Sequence, residues 1–145
     1  MFDRILILCT GNICRSPMAE AAMRSLVDKS GRTIAVRSAG LGALVGHPAD
    51  PHAQTAARQH GLDLSEHRAV QVNRDMLHWA DLILVMEDAQ RAELRDREPN
   101  TAGKTMLVGH WSQSEVPDPY RGELALFEQT MDLIERSLAA WMVRI

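Results

Sequence analysis

Apolar and polar positions fall along this chain in blocks whose lengths indicate the elements. Ile5-Leu6-Ile7-Leu8 is a continuous apolar run, with Asp3-Arg4 before it and Cys9-Thr10-Gly11 after it. A short run that is apolar at every position suits a strand buried on both faces. Leu82-Ile83-Leu84-Val85-Met86 repeats the pattern and reads as a central strand. Thr33-Ile34-Ala35-Val36 and Thr105-Met106-Leu107-Val108 read as the second and fourth strands in chain order. Between them the period changes. Ala19, Ala22, Met23 and Leu26 recur at helical spacing, predicting a helix from about Pro17 to Lys29, closed by Ser30-Gly31. Pro17 at the first helical position with Ser16 ahead of it is an opening signal. Asp50-Pro51 opens a second helix that Gly61 closes after His60. A helical turn is expected around Asp75 to Trp79. Asp88 caps a short helix through Arg95, which Glu98-Pro99-Asn100 breaks. Phe127, Met131, Ile134, Leu138 and Trp141 form one stripe of a last helix and read as core. The polar stretch from Glu66 to Asn73 shows no period.

Strands alternating with helices predict an α/β fold, a doubly wound four-stranded parallel sheet flanked by helices on both faces. No repeat, linker or low-complexity segment interrupts the 145 residues, so residues 1–145 read as one domain. In such a sheet ligands bind outside the carboxyl ends of the strands. The loop from Ser38 to Pro48 is rich in glycine, but it follows the second strand and lacks the spacing of a dinucleotide fingerprint.

A formal net charge of -3 argues against general nucleic-acid binding, which wants a basic face. It leaves room for one small basic pocket. Met1-Phe2-Asp3-Arg4 does not read as a signal peptide, and no apolar run approaches a membrane span, so the cytoplasm is the expected compartment. The only two cysteines, Cys9 and Cys14, exclude a disulfide framework or a Cys-rich zinc site. The six histidines show no metal-ligand spacing, and His47, His52, His60, His78 and His110 read as surface or packing residues.

Both cysteines fall in Cys9-Thr10-Gly11-Asn12-Ile13-Cys14-Arg15-Ser16, between the first strand and the first helix. A tight loop there aims backbone N–H groups and the positive end of the helix dipole at one spot, a place for an anion. A cysteine beside a helix N-terminus and an arginine is favoured as the thiolate. The planar fork of Arg15 matches two phosphate oxygens. A thiolate facing a bound phosphate is arranged for phosphoryl transfer to sulfur. The leaving oxygen then needs a proton. Asp118, between Pro117 and Pro119 in the loop from Gly109 to Tyr120, is the candidate acid. That loop leaves the fourth strand at the same sheet edge as the Cys9 loop, so the two can meet. Cys14 reads either as packing beneath its loop or as a thiol able to trap an oxidised Cys9 as a disulfide.

Together these residues resemble the low-molecular-weight protein tyrosine phosphatases. The resemblance rests on the C-x5-R-[ST] loop followed by Pro17-Met18-Ala19-Glu20, and on Asp118-Pro119-Tyr120 near the C-terminus. Ser38-Ala39-Gly40, His67 and Met86-Glu87 extend it over essentially the whole chain. Leu41 to Gly46 and Gly109 to Arg121 look like the bacterial branch paired with exopolysaccharide tyrosine kinases. The resemblance implies that Cys9 is the nucleophile and forms a phosphocysteine. It makes Arg15 the group that binds the phosphoryl oxygens, and Asp118 the general acid that later activates water. Thr10, Gly11, Asn12, Ile13, Cys14 and Ser16 would complete the phosphate-binding loop. Asn12 would hold an unusual backbone conformation supported by Ser38 and His67, and Ser16 would stabilise the thiolate. Leu44 and Tyr120 would form the pocket walls. No metal or cofactor is implied. The implied substrate is a phosphotyrosine protein, the Tyr-rich tail of a membrane-associated tyrosine kinase regulating exopolysaccharide or capsule production. The implied enzyme is a cytoplasmic monomer without nucleic-acid partners or membrane insertion. Two positions depart from the pattern. Ala69-Val70-Gln71 stands where the family often has Ala-Arg-Gln, and Leu44 stands where eukaryotic members place an aromatic residue.

Three other functions fit the loop less well. An arsenate reductase on this fold needs further cysteines to pass a disulfide outward. A phosphocarrier using Cys9 would not need Asp118 as an acid. A non-catalytic phosphotyrosine-binding module would not need Cys9, Arg15 and Asp118 together.

Overall fold

The computed structural model describes residues 2–145. Its centre is a four-stranded parallel sheet built from β1 (Arg4–Cys9), β2 (Ala35–Gly40), β3 (Leu82–Val85) and β4 (Thr105–Leu107), in the order β2-β1-β3-β4. β1 pairs with both β2 and β3, in registers that set Ile5 against Val36 and Leu82. Its central position explains its composition, since Ile5, Leu6, Ile7 and Leu8 are fully buried.

Alternation along the strands divides these side chains between two cores. Ile5, Ile7, Leu82 and Leu84 face a layer made by α1 (Arg15–Ser30), α2 (Pro51–Arg58) and α5 (Leu124–Met142). Leu6, Leu8, Ile83 and Val85 face α3 (Arg74–Trp79) and α4 (Asp88–Arg97), packing with Leu77 and Leu94. Truncating any of these, Ile7→Ala for example, should cost about 2–5 kcal/mol. The α5 stripe of Phe127, Met131, Ile134, Leu138 and Trp141 is buried, and the Trp141 indole N–H donates to the Val108 carbonyl at 3.0 Å, fastening α5 beside β4.

Element boundaries depart from the sequence expectation at several places. β2 begins and ends later than Thr33–Val36, so Ser38-Ala39-Gly40 belongs to the strand. Its polar and glycine content belongs to the site, because Gly40 packs against the Cys9 loop: a Cβ there would lie 2.5 Å from the Thr10 carbonyl oxygen. α1 begins at Arg15, before Pro17. Proline in a first turn lacks only an N–H that would be unpaired anyway, so it does not mark the first residue. α2 ends at Arg58, and Gly61 adopts a positive φ of 76° just beyond it. α4 continues to Arg97, and a 3-10 turn over Pro99–Lys104 follows. A second 3-10 turn, His110–Ser112, lies inside the loop that carries Asp118.

Candidate active site

The loop between β1 and α1 is shaped from outside. Five successive carbonyls are tied to the surrounding chain. Cys9 O accepts from the Leu41 N–H at 2.9 Å, Thr10 O from Gly42 at 3.0 Å, and Gly11 O from Leu44 at 3.1 Å. Ile13 O accepts from Asp50 at 2.8 Å, and Asn12 O lies 2.7 Å from His67 Nε2. A carbonyl only accepts, so Nε2 of His67 carries the proton in this bond. Carbonyls held outward leave the N–H groups of such a loop to curl inward, an arrangement that suits an anion at the start of a helix.

Asn12 makes that curl possible. Its φ of 58° is left-handed, a conformation asparagine tolerates better than most residues. Its buried side chain reaches in three directions. Nδ2 donates to Ser16 Oγ at 2.8 Å and to Ser38 Oγ at 3.1 Å, while Oδ1 accepts from the Val70 N–H at 2.9 Å. The valine at position 70 therefore keeps the loop's support, because the contact is through backbone. The Ser38 hydroxyl in turn donates to Glu20 Oε1 at 2.5 Å. Ser16 accepts from Asn12, which leaves its O–H free to donate to Cys9 Sγ, 2.9 Å away.

Arg15 lies in the first turn of α1 and is 2% exposed. One terminal nitrogen, Nη1, donates to Glu87 Oε1 at 2.6 Å and to the Val116 carbonyl at 2.8 Å. Nη2 sits 3.7 Å from Asp118 Oδ2. The pairing with Glu87 compensates a charge that would otherwise be costly to bury. Asp118 is half-exposed, and its Oδ1 accepts from the Tyr120 N–H at 3.0 Å, a turn that fixes the carboxyl over the loop.

A pocket of about 190 Å³ lies between these groups, with Cys9 and Arg15 at its base and Ile13, Leu44, Asp118 and Tyr120 on its sides. The two loops, over 100 positions apart in sequence, do converge at the carboxyl ends of the strands. Ser38 and His67 lie behind the loop, beside a wider groove that Glu20 also lines. Cys14 is buried, and burial with the nearby negative charge of Asp50 raises its pKa. Among the described residues, no three His, Cys, Asp or Glu side chains form a metal-ligand cluster. No described helix is long and apolar enough to cross a membrane. His52 packs against the Phe127 ring and His110 against Trp111 and Trp141.

Sequence reasoning assigned no role to Glu87, Gln90 or Gln71. Gln71 holds the Leu44 loop by accepting from the Ala43 N–H at 2.8 Å and donating to the Leu41 carbonyl at 2.9 Å. Only the position of Glu87 at the carboxyl end of a buried strand hinted at a site residue.

The family model for low molecular weight phosphotyrosine protein phosphatases matches residues 4–145. The chain is 46% identical over 145 residues to a probable low molecular weight protein-tyrosine-phosphatase, EpsP, of Ralstonia nicotianae, covering 100% of this chain and 97% of that one. The tyrosine phosphatase Wzb of Escherichia coli K30, solved with sulphate, superposes with a TM-score of 0.93 at 41% identity, covering 99% of both chains. Wzb of Vibrio vulnificus, solved with benzylphosphonate, gives 0.94 at 36% identity and covers 100% of both. The YwlE arginine phosphatase of Geobacillus stearothermophilus is more distant, at 28% identity and a TM-score of 0.89, over 97% of this chain and 91% of that one.

Proposed function

The chain belongs to the low molecular weight phosphotyrosine protein phosphatases, and from that membership we propose that Cys9, Arg15 and Asp118 carry the reaction within one domain spanning residues 1–145. The observation that carries this reading is the convergence of the Cys9 sulfur, the buried Arg15 fork and the Asp118 carboxyl on one small pocket.

In the first step Cys9 Sγ attacks phosphorus in line with the tyrosine oxygen, forming the S–P bond as the P–O bond breaks. The inward N–H groups and the free face of the Arg15 guanidinium stabilise charge on the three equatorial oxygens. Protonated Asp118 gives its proton to the departing phenolate oxygen. In the second step the Asp118 carboxylate takes a proton from water as that water attacks phosphocysteine. Inorganic phosphate leaves, and the Cys9 thiolate returns to its bond with Ser16. Asn12, Ser38 and His67 act by holding the loop, and Thr10, Gly11, Ile13 and Cys14 supply the rest of it.

Ile13, Leu44 and Tyr120 make the pocket sides apolar or aromatic. They suit the flat ring of phosphotyrosine, whose phosphate brings close to two negative charges. Phosphoserine lacks the ring. Phosphoarginine would place a hydrogen-bonding guanidinium against walls with few partners for it. The substrate is the phosphorylated Tyr-rich tail of a bacterial tyrosine kinase that governs polysaccharide export, and the enzyme acts as a cytoplasmic monomer. Phosphate release from matched peptides bearing phosphotyrosine, phosphoserine or phosphoarginine tests this, with EDTA present and the phosphorylated tail as a further substrate. The expected order puts phosphotyrosine first by at least about tenfold, the value of about 1.4 kcal/mol of ring burial. Preference for phosphoserine or phosphoarginine, or a tail left untouched, overturns it.

A further inference from the structure

Gln90 lies one turn into α4, outside the pocket, and is 5% exposed. Both ends of its side-chain amide are engaged. Oε1 accepts from the Met86 N–H at 3.0 Å and the Glu87 N–H at 3.1 Å, while Nε2 donates to Thr10 Oγ1 at 3.1 Å. Each end holds a different part of the site. The oxygen grips the backbone of Glu87, whose carboxylate anchors the Arg15 fork. The nitrogen grips the residue after Cys9, inside the phosphate-binding loop.

We propose that Gln90 is a positioning residue for phosphoryl transfer, a buried amide that locks the Glu87 anchor of Arg15 and the Cys9 loop into one rigid unit. The inference rests on the roles given above to Cys9 and Arg15. The nucleophile and the anchor of the fork follow two adjacent strands, Cys9 at the end of β1 and Glu87 just beyond β3. Backbone pairing of these strands ends at Leu8 with Val85. Beyond that point, Gln90 joins the two segments directly. Arg15 donates to Glu87 from one side and Gln90 fixes Glu87 from the other. Loss of the amide therefore lets the anchor and the sulfur drift relative to each other. Small misplacements of reacting groups cost rate more than binding. Thr10 is exposed while Gln90 is buried, so removing the hydroxyl of Thr10 breaks their bond without opening the core.

The test compares wild type, Gln90→Leu, Thr10→Val and the double variant, with metal-free aryl phosphate hydrolysis and thermal unfolding measured on each. Gln90→Leu keeps apolar volume but removes all three bonds. Thr10→Val removes the bridge alone and keeps the shape. The expected result is a fall in kcat of about three- to tenfold in Thr10→Val, the size of one lost hydrogen bond, and a larger fall in Gln90→Leu, which loses all three. KM should stay within about twofold, and the double variant should be no slower than Gln90→Leu. Gln90→Glu keeps an acceptor for both backbone N–H groups and for the Thr10 hydroxyl. It should recover part of kcat while weakening phosphate binding through its charge. Unchanged kcat in Thr10→Val, or single losses that multiply in the double variant, overturns the proposal, even if unfolding temperatures fall. If Gln90→Leu does not fold, Thr10→Val decides alone. Wild type without metal-free activity would instead overturn the phosphatase assignment of Cys9 and Arg15, so the two failures are distinct.

Discussion

Glu87→Gln separates holding Arg15 in place from the charge that does the holding. The Arg15 guanidinium is almost wholly buried and has one short ionic partner, Glu87 Oε1 at 2.6 Å. Deleting one member of a buried pair costs about 3–5 kcal/mol. Two features reduce that here. Glutamine keeps an oxygen that can accept from Nη1, and the Val116 carbonyl still accepts from the same nitrogen at 2.8 Å. Glu87 itself is about one-third exposed, so water screens part of the attraction. The remaining loss is about 1–2 kcal/mol, or roughly 5–30-fold in kcat. KM should move the other way. Glu87 places a negative charge behind a site that binds a dianion, and neutralising it removes repulsion. KM for an aryl phosphate and the inhibition constant of inorganic phosphate should therefore hold or fall. Glu87→Ala loses the acceptor as well and should fall further in kcat, toward 10²-fold. Initial rates against substrate concentration, with circular dichroism to confirm folding, read both parameters. Wild-type kcat in both variants, or a rise in KM with kcat unchanged, would refute the anchoring argument.

Asp118→Asn should slow phosphoryl transfer from aryl phosphates with poor leaving groups by about 10²–10⁴-fold and spare good leaving groups in the pre-steady-state burst; equal losses for both would count against a proton donor. Cys14 must ionise before it can attack an oxidised Cys9, and its raised pKa means little thiolate at neutral pH. Dithiol recovery after peroxide should therefore increase from pH 7 to pH 9 in wild type and be absent in Cys14→Ser; equal recovery in both, with no linked peptide by mass spectrometry, would leave Cys14 a packing residue.

The fold was legible where burial is complete. β1 and β3 stand out because both faces are covered and no polar residue interrupts them. The α5 stripe stands out because one face of a long helix lies on the sheet. β2 was displaced in the sequence reading because Ser38 and Gly40 serve the loop beside them, and such residues look like turn rather than strand. The loop itself was readable as a candidate site because strand, glycine, arginine and helix start fall together within eight residues. Its supports were less so. Glu87 and Gln90 reach the site from β3 and α4 through hydrogen bonds spanning 72 and 80 positions. An acid after a strand and a glutamine in a helix carry no local sign of such partners. Val70 shows the reverse, since a departure in side chain leaves intact a contact made by backbone.

The central claim is that the phosphoryl group passes through the Cys9 sulfur. Rapid quench of the protein during turnover of an aryl phosphate, followed by peptide mass spectrometry, tests it most directly. Asp118→Asn serves as a second sample, because loss of the proposed base should slow hydrolysis of the intermediate. The account predicts one phosphoryl group on the peptide containing Cys9, absent in Cys9→Ser, which should bind phosphate without turning substrate over. A phosphoryl group on another residue, or sustained metal-free turnover by Cys9→Ser, would contradict it.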